Sequence, residues 1–173
     1  MYPIQFLLVD GKAATIRPMT LEDLVAIAAM HDRLSKQSLY YRYFASHKPS
    51  LDVLREQMQL SQSRGAALVA VLDSSPDEII GMAYYLLTAD NVSVAEPAFL
   101  VEDSFQGQGL GHALFEGLVH EAQLQAVRGF QLFILPENQR MFHILNQKLF
   151  PMERHYLDGM FEVQLYLNPQ AAQ

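Results

Sequence analysis

The stretch of this chain best suited to chemistry is Val101-Glu-Asp-Ser-Phe-Gln106-Gly107-Gln108-Gly109-Leu110-Gly111-His112. An apolar run stops at Val101, glycines stand at 107, 109 and 111, and a helical apolar stripe begins at once. The first turn of a helix offers unpaired backbone N–H groups and a partial positive charge, which together favour an anion. Glycines there remove Cβ atoms that would hold phosphate oxygens off the backbone, and they permit the positive φ of an anion nest. The spacing therefore predicts a phosphate or pyrophosphate on the amides of Gln108 to Gly111. A glycine-rich turn that only caps an ordinary helix fits the same spacing.

Other chemistries are excluded by residue type. A dinucleotide fingerprint, G-x-G-x-x-G, needs glycine at 112 or 114, where the chain has His112 and Leu114, and Gly-Lys-Ser/Thr of a Walker loop is absent. There is no cysteine, which removes disulfides, thiolate zinc sites and cysteine nucleophiles. His31, His47, His112, His120, His143 and His155 show no metal-ligand spacing, so no metal is expected. His112, at the helix start, is placed for phosphate or solvent.

The 173 residues fit one domain, 1–173, and half of them are apolar, a globular balance. Twelve Lys and Arg against nineteen Asp and Glu leave a formal charge of −7. That is the wrong sign for nucleic acid and the right one for cationic partners, amines among them. Met1 is followed by no basic segment, the early apolar run Phe6–Val9 is short, and no run of about 18 apolar residues occurs. The expectation is a cytoplasmic protein with neither nucleic-acid nor membrane partners.

The elements that must position the glycine loop follow from periodicity. Gln5–Val9 and Ala13–Arg17 flank Asp10-Gly11, a hairpin signal. Pro18 falls outside the alternation, and Thr20 and Ser50 cap helices striped by Leu21, Leu24, Val25 and Ala28 and by Leu51, Leu54 and Met58. Ala67–Leu72 and Ile79–Leu87 read as strands around a polar turn, Asp73–Glu78. A strand follows from about Val92 to Val101, then the loop and a helix striped by Leu110, Ala113, Leu114, Leu118 and Ala122. Gly129–Leu135 is an apolar strand stopped by Pro136, Asn138–Phe150 is helical, and Met160–Leu167 is the last strand. This order gives an α/β (α+β) fold, a mixed sheet covered by helices. Pro97 marks either a bulge or the end of a shorter strand.

Gln106-x-x-Gly109-x-Gly111, with Val101 five residues before it, resembles the acyl-CoA-binding motif of the GNAT N-acetyltransferase superfamily. Ala95-Glu96 and Ala98–Val101 resemble the strand leading into it, and Asn138, Met141 and Lys148-Leu-Phe150 the next strand–helix unit. Leu34–Phe44 is similar to the first loop of the bacterial branch that acetylates protein lysines. The resemblance implies the GNAT fold: a mostly antiparallel sheet with two central parallel strands that splay apart, and helices on both faces. It implies acetyl-CoA as co-substrate, with the backbone of Phe99, Leu100 and Val101 pairing the pantetheine arm. Gln106, Gly107, Gln108, Gly109, Leu110, Gly111 and His112 would hold the pyrophosphate, and Asn138 would bond the pantetheine.

Acyl transfer to an amine needs a base for an ammonium of pKa near ~10 and a donor for the thioester oxygen. The resemblance makes Glu96 the catalytic base, raised toward the useful range by burial, and a backbone N–H of Phe99 or Leu100 the donor. Glu96 facing solvent, or paired with Arg42, is the alternative. A tyrosine that many members place seven residues after the asparagine is here Leu145, and a glycine near the helix end is Leu149. His143 or Tyr156 could serve instead as the acid, or the thiolate could leave unaided. Tyr40, Tyr41, Tyr43 and Phe44 either line an acceptor pocket or pack their loop on the core. The expected partner is an amine, on a protein lysine or a small molecule; a homodimer is compatible, since dimers are common in the family. A non-catalytic, CoA-sensing or interaction module with the same loop is the alternative function.

Overall fold

A computed structural model describes residues 2–89, 93–146 and 150–168. Eight strands form one sheet: β1 (Ile4–Leu7), β2 (Ala13–Pro18), β3 (Gly65–Leu72), β4 (Ser75–Leu87), β5 (Val94–Val101), β6 (Gly129–Ile134), β7 (Met152–Leu157) and β8 (Met160–Tyr166). Their order across the sheet is β1-β2-β3-β4-β5-β6-β8-β7, antiparallel throughout except where β5 meets β6. The helices are α1 (Leu24–Asp32), α2 (Lys36–Tyr43), α3 (Leu51–Arg64), α4 (Leu110–Leu124) and α5 (Gln139–Asn146).

Each face of the sheet carries its own apolar cluster. Of the stripe read from the sequence, Leu110, Leu114, Leu118 and Ala122 are wholly buried on one face against Ile80, Tyr85 and Phe130, and Ala113 is partly buried. Each such leucine contributes about 2 kcal/mol by leaving water. On the other face, Ile27 and Met30 of α1 and Leu54 and Met58 of α3 close over Val69, Met82 and Leu100. Ser50 caps α3 as expected, its Oγ accepting from the N–H of Val53 at 3.4 Å. Thr20 begins a 3-10 turn, Leu21–Asp23, ahead of α1, and its N–H donates to the Asp23 carboxylate at 2.8 Å.

Four elements differ from the sequence reading. Pro18 ends β2 inside the ladder, paired with Leu68. The turn between β3 and β4 is shorter than Asp73–Glu78, because irregular pairing from Ala70 to Leu72 lets Ser75 already face Leu72. Leu34–Phe44 is no loop: Ser35 Oγ accepts from the N–H of Ser38 at 3.1 Å and starts α2. Mostly exposed β7 has no buried alternation and was invisible to a periodicity argument; it pairs with β8 from Met152↔Leu165 to Leu157↔Met160. The strand start at Val92 and the helix segment with Lys148 and Leu149 lie outside the described residues.

The feature that shapes the rest is the junction of β5 and β6. Their parallel pairing consists of Val94↔Gly129 and Ala95↔Phe130 alone, after which the strands part. β5 stays on β4 through Gly81↔Val101, while β6 follows β8 through Ile134↔Phe161. The β4–β5 ladder is bracketed by Thr88 N–H to the Val94 carbonyl, 3.0 Å, and Glu102 N–H to the Ile80 carbonyl, 2.9 Å. Backbone groups alternate sides along a strand, so even-numbered residues of β5 bond to β4 and Ala95, Pro97, Phe99 and Val101 face β6. Pro97 thus lies within the strand at the place where its missing N–H removes no bond, since its partner strand has already turned away. Pro97→Ala should change unfolding free energy by less than about 1 kcal/mol. Ala98→Pro, which deletes a donor to β4, should cost about 2 kcal/mol or more, both read by urea denaturation.

Candidate active site

The parted strands open a cleft of about 820 Å³. Phe99, Leu100 and Val101 form one wall, the loop 106–112 its end, and Asn138 with the first turns of α5 the other wall. Of the residues singled out in the sequence, Gln106, Gly107, Gly109, Gly111 and His112 also line it, whereas Glu96, Gln108 and Leu110 do not.

The loop is held open by its glycines. Gly107 and Gly109 have φ of +73° and +86°, left-handed values that other L-residues rarely adopt, and Gly109 caps α4. In this geometry the N–H groups of residues 107 to 111 find no acceptor among the described residues, while the Gly109 carbonyl already receives the N–H groups of His112 and Ala113. Side chains do not take their place. Gln108 turns away, its Oε1 accepting from the N–H of Asp10 at 3.0 Å, and Leu110 is buried in the core. His112 Nδ1 is buried and without a partner among the described residues, and its Nε2 lies 3.6 Å from Glu116.

Gln106 acts as a brace. Its amide nitrogen donates to the Val101 carbonyl at 2.8 Å and to Ser38 Oγ at 3.0 Å, and its amide oxygen accepts from Arg140 on α5. Ser38 in turn donates to Asp103 at 2.9 Å, and that carboxylate also accepts the N–H and hydroxyl of Ser35 at 2.9 and 2.6 Å. Partial burial alone would raise the Asp103 pKa, but the donors of Ser35 and Ser38 outweigh it and hold the carboxyl below its ordinary value. Tyr43 ties the other end of α2 to α1: His31 Nδ1 donates to the Ile27 carbonyl at 2.7 Å, leaving Nε2 to accept from the Tyr43 hydroxyl at 2.7 Å. Burial lowers the His31 pKa and pushes Tyr43 up to about 12, so this bond carries no charge at neutral pH. Both anchors of α2 weaken as pH falls, His31 once it is forced to protonate and Asp103 below its lowered pKa. Ser38, Asp103 and Arg140 gave no signal in the sequence, because each works through a long-range bond and not through a motif.

Asn138 begins α5, its Oδ1 accepting from the N–H of Met141 at 3.3 Å. Its amide NH₂ has no partner among the described residues and so keeps two donors for the cleft. Leu145 is wholly buried in the core, so no polar group acts from that position. Tyr156 is 64% exposed against Phe161 on the last hairpin and does not line the cleft; His143 does.

Glu96 departs from expectation. It is exposed, not buried, because β5 places it on the same face as Ala98 and Leu100, beyond the edge of the cluster under α1 and α3. No ion pair joins it to Arg42, which instead donates to the Tyr84 hydroxyl.

A mixed sheet whose one parallel pair opens over a helix N-terminus defines the frame of an α+β fold. Residues 14–147 match the model of the acetyltransferase (GNAT) domain family, and the chain belongs to that family. It is similar to acetyltransferase Pat of Mycolicibacterium smegmatis, 25% identical over 145 residues, which are 84% of this chain and 43% of that protein. The chain therefore matches less than half the length of that relative. The crystal structure of the GNAT domain of S. lividans PAT superposes with a TM-score of 0.84 at 26% identity, over 95% of this chain and 96% of that one. The fold is shared by yncA of Salmonella typhimurium, solved with its cofactor acetyl-CoA: TM-score 0.73, 17% identity, 92% of this chain and 96% of that one.

Gln106→Leu should lower unfolding free energy by about 1–3 kcal/mol, since the Val101 carbonyl loses its side-chain donor and the Ser38 hydroxyl keeps only Asp103 as a side-chain partner. Hydrogen exchange should quicken in α2 and at the start of α5 while α4 keeps its protection.

Proposed function

We propose that residues 1–173 form one N-acetyltransferase domain that passes the acetyl group of acetyl-CoA directly to a primary amine in a ternary complex. The observation that carries this reading is the pairing of an open β5 edge with a run of N–H groups, 107 to 111, that have no partner among the described residues, Gly107, Gly109 and Gly111 of that run lining the end of the same cleft. The diphosphate would lie on the amides of residues 107–111, where no Cβ intrudes at 107 or 109. The pantetheine amides would add as a strand to Phe99 and Val101, with the Asn138 NH₂ as a further donor.

Of the two candidate donors for the thioester oxygen, ladder parity favours Phe99, since the Leu100 N–H is directed to β4. Glu96, on the sheet face shared with α1 to α3, takes the ammonium proton directly or through a water. The neutral nitrogen then attacks the carbonyl carbon, the C–S bond breaks, the sulfur leaves as a thiolate, and the second proton of the attacking nitrogen passes to the thiolate or to water as the amide forms. With leucine at 145 the thiolate leaves without a tyrosine, which its pKa near ~8.5 allows. No metal takes part in this scheme. The resemblance of Leu34–Phe44 to the branch that acetylates protein lysines supports a protein lysine as one acceptor; the acidic chain suits small amines equally.

Glu96→Gln is expected to slow amine-dependent thiol release by roughly 100-fold while the Kd for CoA by calorimetry stays within about twofold. If wild type and variant release thiol alike and no amine accelerates either, the domain is a CoA-sensing module and not an enzyme.

A further inference from the structure

Two cationic side chains line the cleft, Arg140 and Arg42. Elsewhere Lys12, Arg17, Arg33, Lys48 and Arg55 each have a carboxylate in contact, but neither cleft arginine has one among the described residues. Lys36, Arg64, Arg128 and Arg154 also lack a carboxylate among the described residues, but none of them lines the cleft, so what sets Arg42 and Arg140 apart is their place in it. Arg140 rests on Gln106, beside the free amides of the loop, where a diphosphate accounts for it.

Arg42 stands elsewhere. Its guanidinium donates to the Tyr84 hydroxyl, and its central carbon lies 4.8 Å from the ring centre of Tyr43 and 5.3 Å from that of Tyr84. Tyr84 pairs with Ala98, so Glu96 is its diagonal neighbour on the same sheet face, at about 7–8 Å between Cα atoms. The cation is half-buried and fixed by two rings, and most of its five N–H donors remain unspent. A permanent charge so placed favours an anion, and the planar fork matches a carboxylate.

Resting on the acetyl-transfer reading above, we propose that Arg42 binds a carboxylate carried by the acceptor close to its reacting amine. With Glu96 diagonal on the sheet to the Tyr84 that holds Arg42, the arrangement offers a cation and an anion to a zwitterion: the ammonium goes to Glu96 and the carboxylate to Arg42. The acceptor class is then an amino acid, or a peptide amine with an adjacent carboxylate. A polyamine is disfavoured, because its second ammonium would meet Arg42. The sheet face decides between acceptor and acyl chain as the source of the carboxylate. Arg42 shares its face with the base that must touch the amine, whereas the thioester lies against the β6-facing backbone of Phe99.

The test is thiol release from acetyl-CoA with amine pairs that differ only in the carboxylate, such as α-amino acids and their amides, with spermidine for comparison. Wild type should prefer the carboxylate member at least tenfold in kcat/KM. Arg42→Gln should erase that preference mainly through KM, and Arg42→Lys should restore part of it, with CoA affinity by calorimetry within about twofold throughout. Equal use of acids and amides overturns the proposal, as does an Arg42→Gln loss that is uniform across acceptors. A change confined to the choice between acetyl-CoA and succinyl-CoA also overturns it, placing the carboxylate on the acyl chain. If wild type releases no thiol with any amine, the transfer reading itself fails and takes this inference with it.

Discussion

A strand inside a sheet normally spends the backbone groups of both its edges. β5 spends one edge on β4 along its whole length and the other only at its first two residues, Val94 and Ala95. The proposed function depends on that parting, because it leaves polar backbone directed into a cleft in the middle of an otherwise continuous sheet. Unpaired buried backbone costs about 1–3 kcal/mol per group, so such an edge persists only where water or a ligand can reach it. The cleft supplies that access, and Pro97 removes one of the donors that would otherwise need a partner.

Keeping the cleft open requires that its two walls be tied at one end and free at the other. The tie is Gln106, which links the Val101 carbonyl, Ser38 of α2 and Arg140 of α5 through a single amide. Because its side chain is occupied, Gln106 shapes the loop, and in the proposed function anion binding falls to main-chain N–H groups. The same division holds on the sheet's other side. There Asp103 and the His31–Tyr43 pair fasten α2, and the helix so fixed carries Arg42 to the edge of the cleft.

Much of this was legible in the residues. The α4 stripe and Gly107, Gly109 and Gly111 located the loop and the helix behind it, since apolar periodicity and glycine reflect local backbone demands. The same holds for Asn138, whose capping oxygen begins α5. What escaped were features set by distant contacts. α2 has a polar composition and no apolar stripe, and it is a helix because Ser35 and Asp103 cap and anchor it. Glu96 was expected to be buried from the apolar strand around it, but its exposure depends on where the helices over that face end, which no local pattern records. β7 owes its place to the β8 edge, with no buried alternation of its own.

The central claim concerns particular main-chain amides, and backbone NMR of the chain titrated with acetyl-CoA addresses them one at a time. The N–H resonances of Phe99, Val101 and residues 107–111 should exchange rapidly with solvent in the free protein. On saturation they should shift and become protected, while Ala98 and Leu100 are slow in both states. Protection of the 107–111 amides before any cofactor is added, or CoA binding that leaves them and Phe99 unchanged, would contradict it.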